Sequence, residues 1–230
     1  MINKHVYNSR SELDQSFADR VAEQLADGIA KNGKASIAFS GGSTPKGFFA
    51  ALSNKDIAWD KVTVTLADDR WVDTEHKDSN DKLLRENLLQ NKAQAATLFS
   101  LVEQGDFSEA VLDKKNAELV NVLPLDVVVL GMGEDGHTAS IFPCSAQVEQ
   151  GLATDVAPAL MKTEPTTAPY QRITFNFPAL INAKHLYLHV VGESKQTVLD
   201  QALSSQNALE MPIRAFLQHS QKTVEILWAE

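Results

Sequence analysis

The sequence predicts an α/β fold: one open, mainly parallel, Rossmann-like sheet with helices on both faces. Helical and strand signals alternate along the chain, as they do when parallel strands are joined by crossover helices. Two runs, Ala35 to Ser40 and Val127 to Leu130, are almost continuously apolar and suit strands covered on both faces. Each breaks at its carboxyl end into a turn rich in glycine. At 230 residues and 43% hydrophobic the chain can bury a sizeable core, and it reads as one domain over residues 1–230.

Ser11 to Lys31 repeats Leu13, Phe17, Val21, Leu25 and Ile29 at four-residue spacing, opens with a Ser-x-x-Asp cap and stops at Gly33. This is the pattern of an amphipathic helix. Ala35 to Ser40 is the first buried strand, and Gly41-Gly-Ser-Thr-Pro45 leads into a second helix. Val62 to Ala67 forms a strand that ends in Asp68-Asp69-Arg70-Trp71, and Ser79 to Leu89 and Ser108 to Val122 are helical. The central strand starts at Val127. His185 to Val191 and Val224 to Trp228 are later strands, separated by a helix that begins near Glu193. Thr154 to Tyr170 holds three of the eight prolines and reads as a surface excursion.

Composition removes several function classes. The net charge of −9, from 21 Lys plus Arg against 30 Asp plus Glu, argues against nucleic acid or anionic membranes as partners. An anionic ligand would need a local cluster of donors. The amino-terminal stretch lacks the charged and apolar regions of a signal peptide, and no run approaches a membrane span, so a cytoplasmic location is expected. Cys144 is the sole cysteine, which rules out an internal disulfide and a cysteine-based zinc site; small-residue packing is its expected role.

Ligands of open parallel sheets bind beyond the carboxyl ends of the strands. The chain places Gly41-Gly42-Ser43-Thr44, Asp68-Asp69-Arg70, the Gly131 to His137 turn and Gly192-Glu193-Ser194-Lys195 there. The first loop, with two glycines, two hydroxyls and Pro45 in the following helical turn, suits a phosphate monoester, because free N–H groups and the helix dipole both favour negative charge. A tight turn that only caps the helix is the plain alternative. Gly131-x-Gly133-x-x-Gly136 also satisfies a dinucleotide-binding pattern. The segment after it, Thr138 to Val148, shows no helical stripe to receive a pyrophosphate, so nicotinamide binding is disfavoured. The turn delivers Asp135 and His137 two residues apart at a strand end, the best place in the chain for proton transfer.

Ser40-Gly-Gly-Ser-Thr-Pro45, Asp68-Asp-Arg-Trp-Val72, Leu130-Gly-Met-Gly-Glu-Asp-Gly-His-Thr-Ala-Ser140 and Gln171-Arg-Ile-Thr174 resemble, in order, the signature blocks of the 6-phosphogluconolactonase family. The resemblance implies a sugar-phosphate isomerase/deaminase type of fold, hydrolysis of 6-phosphoglucono-1,5-lactone in the oxidative pentose phosphate pathway, and no metal or cofactor. By matching position it implies His137 as general base with Asp135 beside it, and Arg70 with turn amides as donors to the carbonyl oxygen. The resemblance likewise implies Gly41, Gly42, Ser43 and Thr44 as the phosphate cradle with Arg172 and Lys195 as the cations; Asp68, Asp69 and Arg70 could form a turn, a helix cap or a structural pair, but at least one is expected to face the site, and Asp68 is read as a substrate contact. The partner expected is a small phosphosugar lactone, bound by a monomer or weak homo-oligomer. The chain departs from the family pattern at Cys144, where glycine is usual.

The rival within this fold is a glucosamine-6-phosphate deaminase or isomerase. That family tends to follow its histidine with Ile-Ala-Phe-Asn-Glu-Pro, whereas this chain has Thr138-Ala-Ser-Ile-Phe-Pro143, without the acid and amide useful in amino-sugar proton transfers. A non-catalytic sugar-phosphate-binding domain could keep Ser43, Arg172 and Lys195 but would have no need of His137.

Overall fold

Strands without a solvent-facing side must lie where both faces are covered, and this requirement sets the architecture. The computed structural model describes residues 1–230 and begins with β1 (Ile2–Tyr7), α1 (Arg10–Asn32), β2 (Ala35–Phe39), α2 (Lys46–Ser53), β3 (Val62–Leu66), β4 (Asp68–Arg70) and α3 (Asn80–Asn87). It continues through β5 (Thr97–Leu98), α4 (Glu109–Glu118), β6 (Val127–Leu130), α5 (Val148–Leu152), β7 (Leu160–Thr163) and β8 (Arg172–Phe175). It ends with α6 (Phe177–Ile181), β9 (His185–Val191), α7 (Glu193–Leu203), α8 (Ile213–Leu217) and β10 (Val224–Ala229).

Seven strands form one sheet in the order β1-β10-β9-β6-β2-β3-β5, and every pairing in it is parallel. Every residue of β2 and β6 is buried, and these two strands are neighbours. From β2 the chain builds outward through β3 to β5, then returns to lay β6 on the other side of β2 and builds outward again. The direction of winding therefore reverses between β2 and β6, and helices flank the sheet. A second sheet, β4-β8-β7, is antiparallel and sits at the carboxyl ends of the first.

Several boundaries differ from the sequence expectation. Helix α1 is capped by Ser9, whose side chain accepts from the Glu12 amide while the Glu12 carboxylate accepts from Asn8, so the cap is not the Ser-x-x-Asp that starts at Ser11. Gly33 ends the helix in a left-handed conformation as expected. The helix predicted over Ser108 to Val122 stops at Glu118 and tightens into a 3-10 turn over Leu119–Asn121. Asp68 to Arg70 are a strand rather than a turn, and Thr154 to Tyr170 is not a plain surface excursion, because β7 lies inside it with Leu160, Met161 and Thr163 buried. Pairing with distant residues, which no local pattern encodes, made these strands.

Between the sheet and the helix pair α1 and α2, Phe17 stacks on Phe48 with ring centroids 4.2 Å apart, and Phe39 meets Phe49 edge-on at 5.0 Å. Truncating such a ring costs about 3–5 kcal/mol. His189 of β9 joins this layer, edge-on to Phe17 at 5.6 Å and to Phe48 at 6.0 Å. Burial there, with a smaller push from Arg10, lowers its pKa from 6.5 to about 4.

Because this folded value lies below the unfolded one, the unfolded chain takes up the proton first: the cost is absent above pH 6.5, grows as pH falls and is complete near pH 4. His189→Phe is therefore expected to gain stability relative to the parent by about 3 kcal/mol on going from neutral pH to the bottom of that window. Urea unfolding of both proteins across the range measures it, and a difference independent of pH would refute the buried neutral imidazole.

Candidate active site

The reversal between β2 and β6 leaves a crevice where neighbouring strands send their continuations to opposite faces. A cleft of ≈ 310 Å³ occupies it. Its walls come from the predicted turns: Gly41, Gly42, Ser43 and Thr44 after β2, Gly131, Gly133 and His137 after β6, and Lys195 after β9. Asp68 and Arg70 on β4 and Arg172 on β8 close it from the second sheet.

The loop after β2 leaves its backbone amides open to the cleft. Gly42 has φ of +98°, a value that costs any residue with a Cβ, and this lets the chain turn at once into α2. None of the amides of Gly41, Gly42, Ser43 or Thr44 donates to a protein acceptor. Four N–H groups at a helix amino end thus remain available, with the helix dipole behind them.

The turn after β6 presents the imidazole. His137 Nδ1 lies 2.6 Å from Asp135 Oδ1, and the same oxygen accepts from the His137 amide at 3.1 Å. The backbone closes through Gly133 N–H to His137 O and Gly136 N–H to Gly133 O. The His137 ring lies over Gly133 so closely that a Cβ there would overlap it, which is why this position must be glycine. Burial works to raise the Asp135 carboxyl, but the hydrogen bonds from His137 outweigh it and hold the group below its ordinary range. Ionised Asp135 therefore fixes the proton of a neutral ring on Nδ1 and turns the Nε2 lone pair outward. Phe142 stacks on the other side of the imidazole, with centroids 3.9 Å apart and planes 23° apart. After Gly136 the chain forms a short Thr138–Ile141 bridge and reaches no helix before Val148.

The second sheet brings in the arginines. Pairing of β4 with β8 sets Arg70 opposite Arg172 and Asp68 opposite Thr174. Asp69 points the other way, and its buried carboxylate accepts from the amides of Arg70, Asn80 and Asp81. It thereby caps α3 and fastens it to β4, although burial raises its pKa to about 7 against those three donors. Asn80, fixed by this cap, takes a hydrogen bond from Arg70 at 2.7 Å and donates to the Asp68 carbonyl at 3.0 Å. Asp68 itself accepts from Ser140 Oγ. Arg172 is buried, its carbon Cζ lies 5.4 Å from the Phe142 ring centroid, and Nε has no partner in the protein. Burial lowers its pKa, against the pull of Asp68.

Lys195, in the first turn of α7, pairs with Glu134 at 2.6 Å across the cleft mouth. Asp135 acts on the cleft through His137 and does not line it. Trp71 lies away from the cleft, edge-on to Phe107. Cys144 is half-buried beside Thr167 rather than packed in the core. Asn80, Phe142, Glu134, Ser140 and His189 complete the surroundings without having been singled out as site residues from the sequence.

The parallel sheet with its winding reversal and the antiparallel sheet at its carboxyl ends place the chain among α/β proteins of the sugar-phosphate isomerase/deaminase type. A family model described as glucosamine-6-phosphate isomerases/6-phosphogluconolactonase matches residues 8–228, and the chain belongs to this family. It is 42% identical over 228 residues to a 6-phosphogluconolactonase of Rhizobium meliloti, covering 99% of this chain and 98% of that one. A 6-phosphogluconolactonase of Neisseria meningitidis is also 42% identical, over 231 residues and 98% of each chain. A crystal structure of a 6-phosphogluconolactonase from Shewanella baltica superposes with a TM-score of 0.95 at 44% identity, covering 100% of this chain and 98% of that one. No helix is long and apolar enough to cross a membrane.

Gly133→Ala is expected to detach His137 from Asp135. In 15N spectra of the imidazole the parent shows the Nδ1–H form, and the variant a mixture of both tautomers; an unchanged spectrum would show that the ring tolerates a Cβ below it.

Proposed function

We propose that this protein opens 6-phospho-D-glucono-1,5-lactone to 6-phospho-D-gluconate by His137-assisted attack of water, as a cytoplasmic enzyme of one domain. The observation that carries the reading is a single cleft holding both an Asp135-oriented imidazole and an anion loop with no internal partner. The relatives that share 42% of its residues over full length carry the same activity in their names.

The Nε2 lone pair of His137 takes a proton from water as its oxygen attacks C1 of the lactone. Charge collects on the former carbonyl oxygen. Arg70 and the amides of Gly131 and Met132, which donate to no protein acceptor, are the donors for it. The tetrahedral intermediate then expels the ring oxygen, and the imidazolium returns the proton to it. Asp135 stabilises that imidazolium without itself taking the proton. Water and one imidazole supply the chemistry, so the reaction calls for no metal or cofactor.

The phosphate is held by the amides of Gly41, Gly42, Ser43 and Thr44 with the hydroxyls of the latter two, and by Arg172 and Lys195. Asp68, with one oxygen fixed by Ser140, accepts from a sugar hydroxyl. Lys195 exchanges Glu134 for the ligand.

The test offers the lactone and glucosamine 6-phosphate separately, with a chelator present. Fast lactone opening without ammonia release is expected; opening no faster than in buffer, or loss of turnover to the chelator, would overturn the reading. Within it, His137→Ala lowers kcat by about 10²–10⁴-fold, whereas Arg172→Ala mainly raises KM, by about tenfold or more. Equal losses of kcat in the two variants would refute this division of roles.

A further inference from the structure

Arg70 stands near Asp68, Asp69, Asp78 and Asp81 in the chain, yet its guanidinium pairs with none of them. Each of these carboxylates is engaged elsewhere: Asp68 accepts from Ser140, Asp69 from three backbone amides, Asp78 from the Tyr170 hydroxyl and Asp81 from Arg85. Neutral oxygens hold the guanidinium instead. Arg70 Nη1 donates to the Asp78 carbonyl at 3.0 Å and to Asn80 Oδ1 at 2.7 Å, which occupies both of its hydrogens. Nε and Nη2 have no partner in the protein and are not sealed off, and Arg70 lines the cleft.

Asn80 fixes this arrangement. It lines the cleft, is only 3% exposed and is held on several sides. Its amide donates to Asp69 at 2.7 Å and its Nδ2 to the Asp68 carbonyl at 3.0 Å, while the carboxamide presses on Gly41 so closely that a Cβ there would lie 2.0 Å from Oδ1. The side chain is thus wedged between the open loop after β2 and the Arg70 guanidinium, and it spaces one from the other. A carboxylate of the same shape would form an ion pair with Arg70 and offset its charge. We propose that Asn80 is a positioning residue for the reaction, a neutral acceptor that aims Arg70 at the lactone carbonyl oxygen and leaves its full charge for the transition state. This deepens the lactonase reading and rests on it. Charge that builds on an oxygen gains most from a donor fixed beforehand.

The test is a double-mutant cycle with the lactone as substrate. Asn80→Ala is expected to lower kcat about 10–100-fold and to leave KM within about threefold. In an Arg70→Ala background the same change moves kcat by less than about threefold, because the group it acts through is gone. Additive losses would overturn the inference, since a residue that only supports the fold lowers activity with or without Arg70. Should Asn80→Ala fail to fold, Asn80→Asp carries the test: it keeps the shape and the acceptor but pairs with Arg70, so kcat falls about tenfold or more, and an unchanged kcat refutes the need for a neutral acceptor. The 15N–1H resonances of the Arg70 side chain report its placement without substrate. Nη1 protons protected from exchange in the parent and released in Asn80→Ala are expected; free exchange in the parent would sink the proposal. A parent with protected Nη1 protons that does not open the lactone would instead refute the lactonase reading and leave Asn80 as the holder of Arg70.

Discussion

Everything in this cleft depends on the reversal of winding between β2 and β6. Parallel strands with right-handed crossovers send successive helices to one face for as long as the sheet grows in one direction. When the chain returns to lay β6 against β2, the segments leaving these two neighbours must part, and the space they leave is the cleft. The anion loop and the imidazole turn are the first residues past those strand ends. Their separation is set by the spacing of paired strands, about 4.8 Å, and by Ser40 N–H bonding to Val129 O at 2.8 Å.

A second constraint is electrostatic. An acidic chain concentrates donors around this cleft, and it does so with few full charges: free amides, hydroxyls, Arg70, the buried Arg172 and Lys195. Keeping Arg172 buried is costly, and Asp68 on the neighbouring strand offsets part of that cost. Asp69, one residue further on, faces away and caps α3, so two adjacent carboxylates serve opposite faces of the strand. The alternation of a β-strand is what separates them.

The polar turns at strand ends were legible because glycine, hydroxyl and acidic residues interrupt apolar runs at those points, and the parallel sheet gathers them at one edge. The second sheet was not. Asp68 to Arg70 is three polar residues without a hydrophobic period, and its partner strand lies about a hundred residues away. Ser9 and Ser11 are each followed three residues later by an acid, so the cap was degenerate until Leu13 became the first residue of α1 to be buried. His189 sits in the run His-Leu-Tyr-Leu-His-Val-Val, where nothing local marks it, and not His185, as the histidine packed into the aromatic layer. Asn80 works only through the fold, since its two partners belong to another element.

Ala67 is the single residue between β3 and β4, and it carries the chain from one sheet into the other. Its N–H bonds to Phe39 O at 2.8 Å in the large sheet, and its carbonyl accepts from Phe175 N–H at 3.0 Å in the small one. The small sheet therefore has no slack hinge, and swinging Arg70 or Arg172 away from His137 would break backbone bonds at this joint. The distance between the two halves of the cleft is fixed by backbone hydrogen bonds, so the entropy of assembling them is spent in folding.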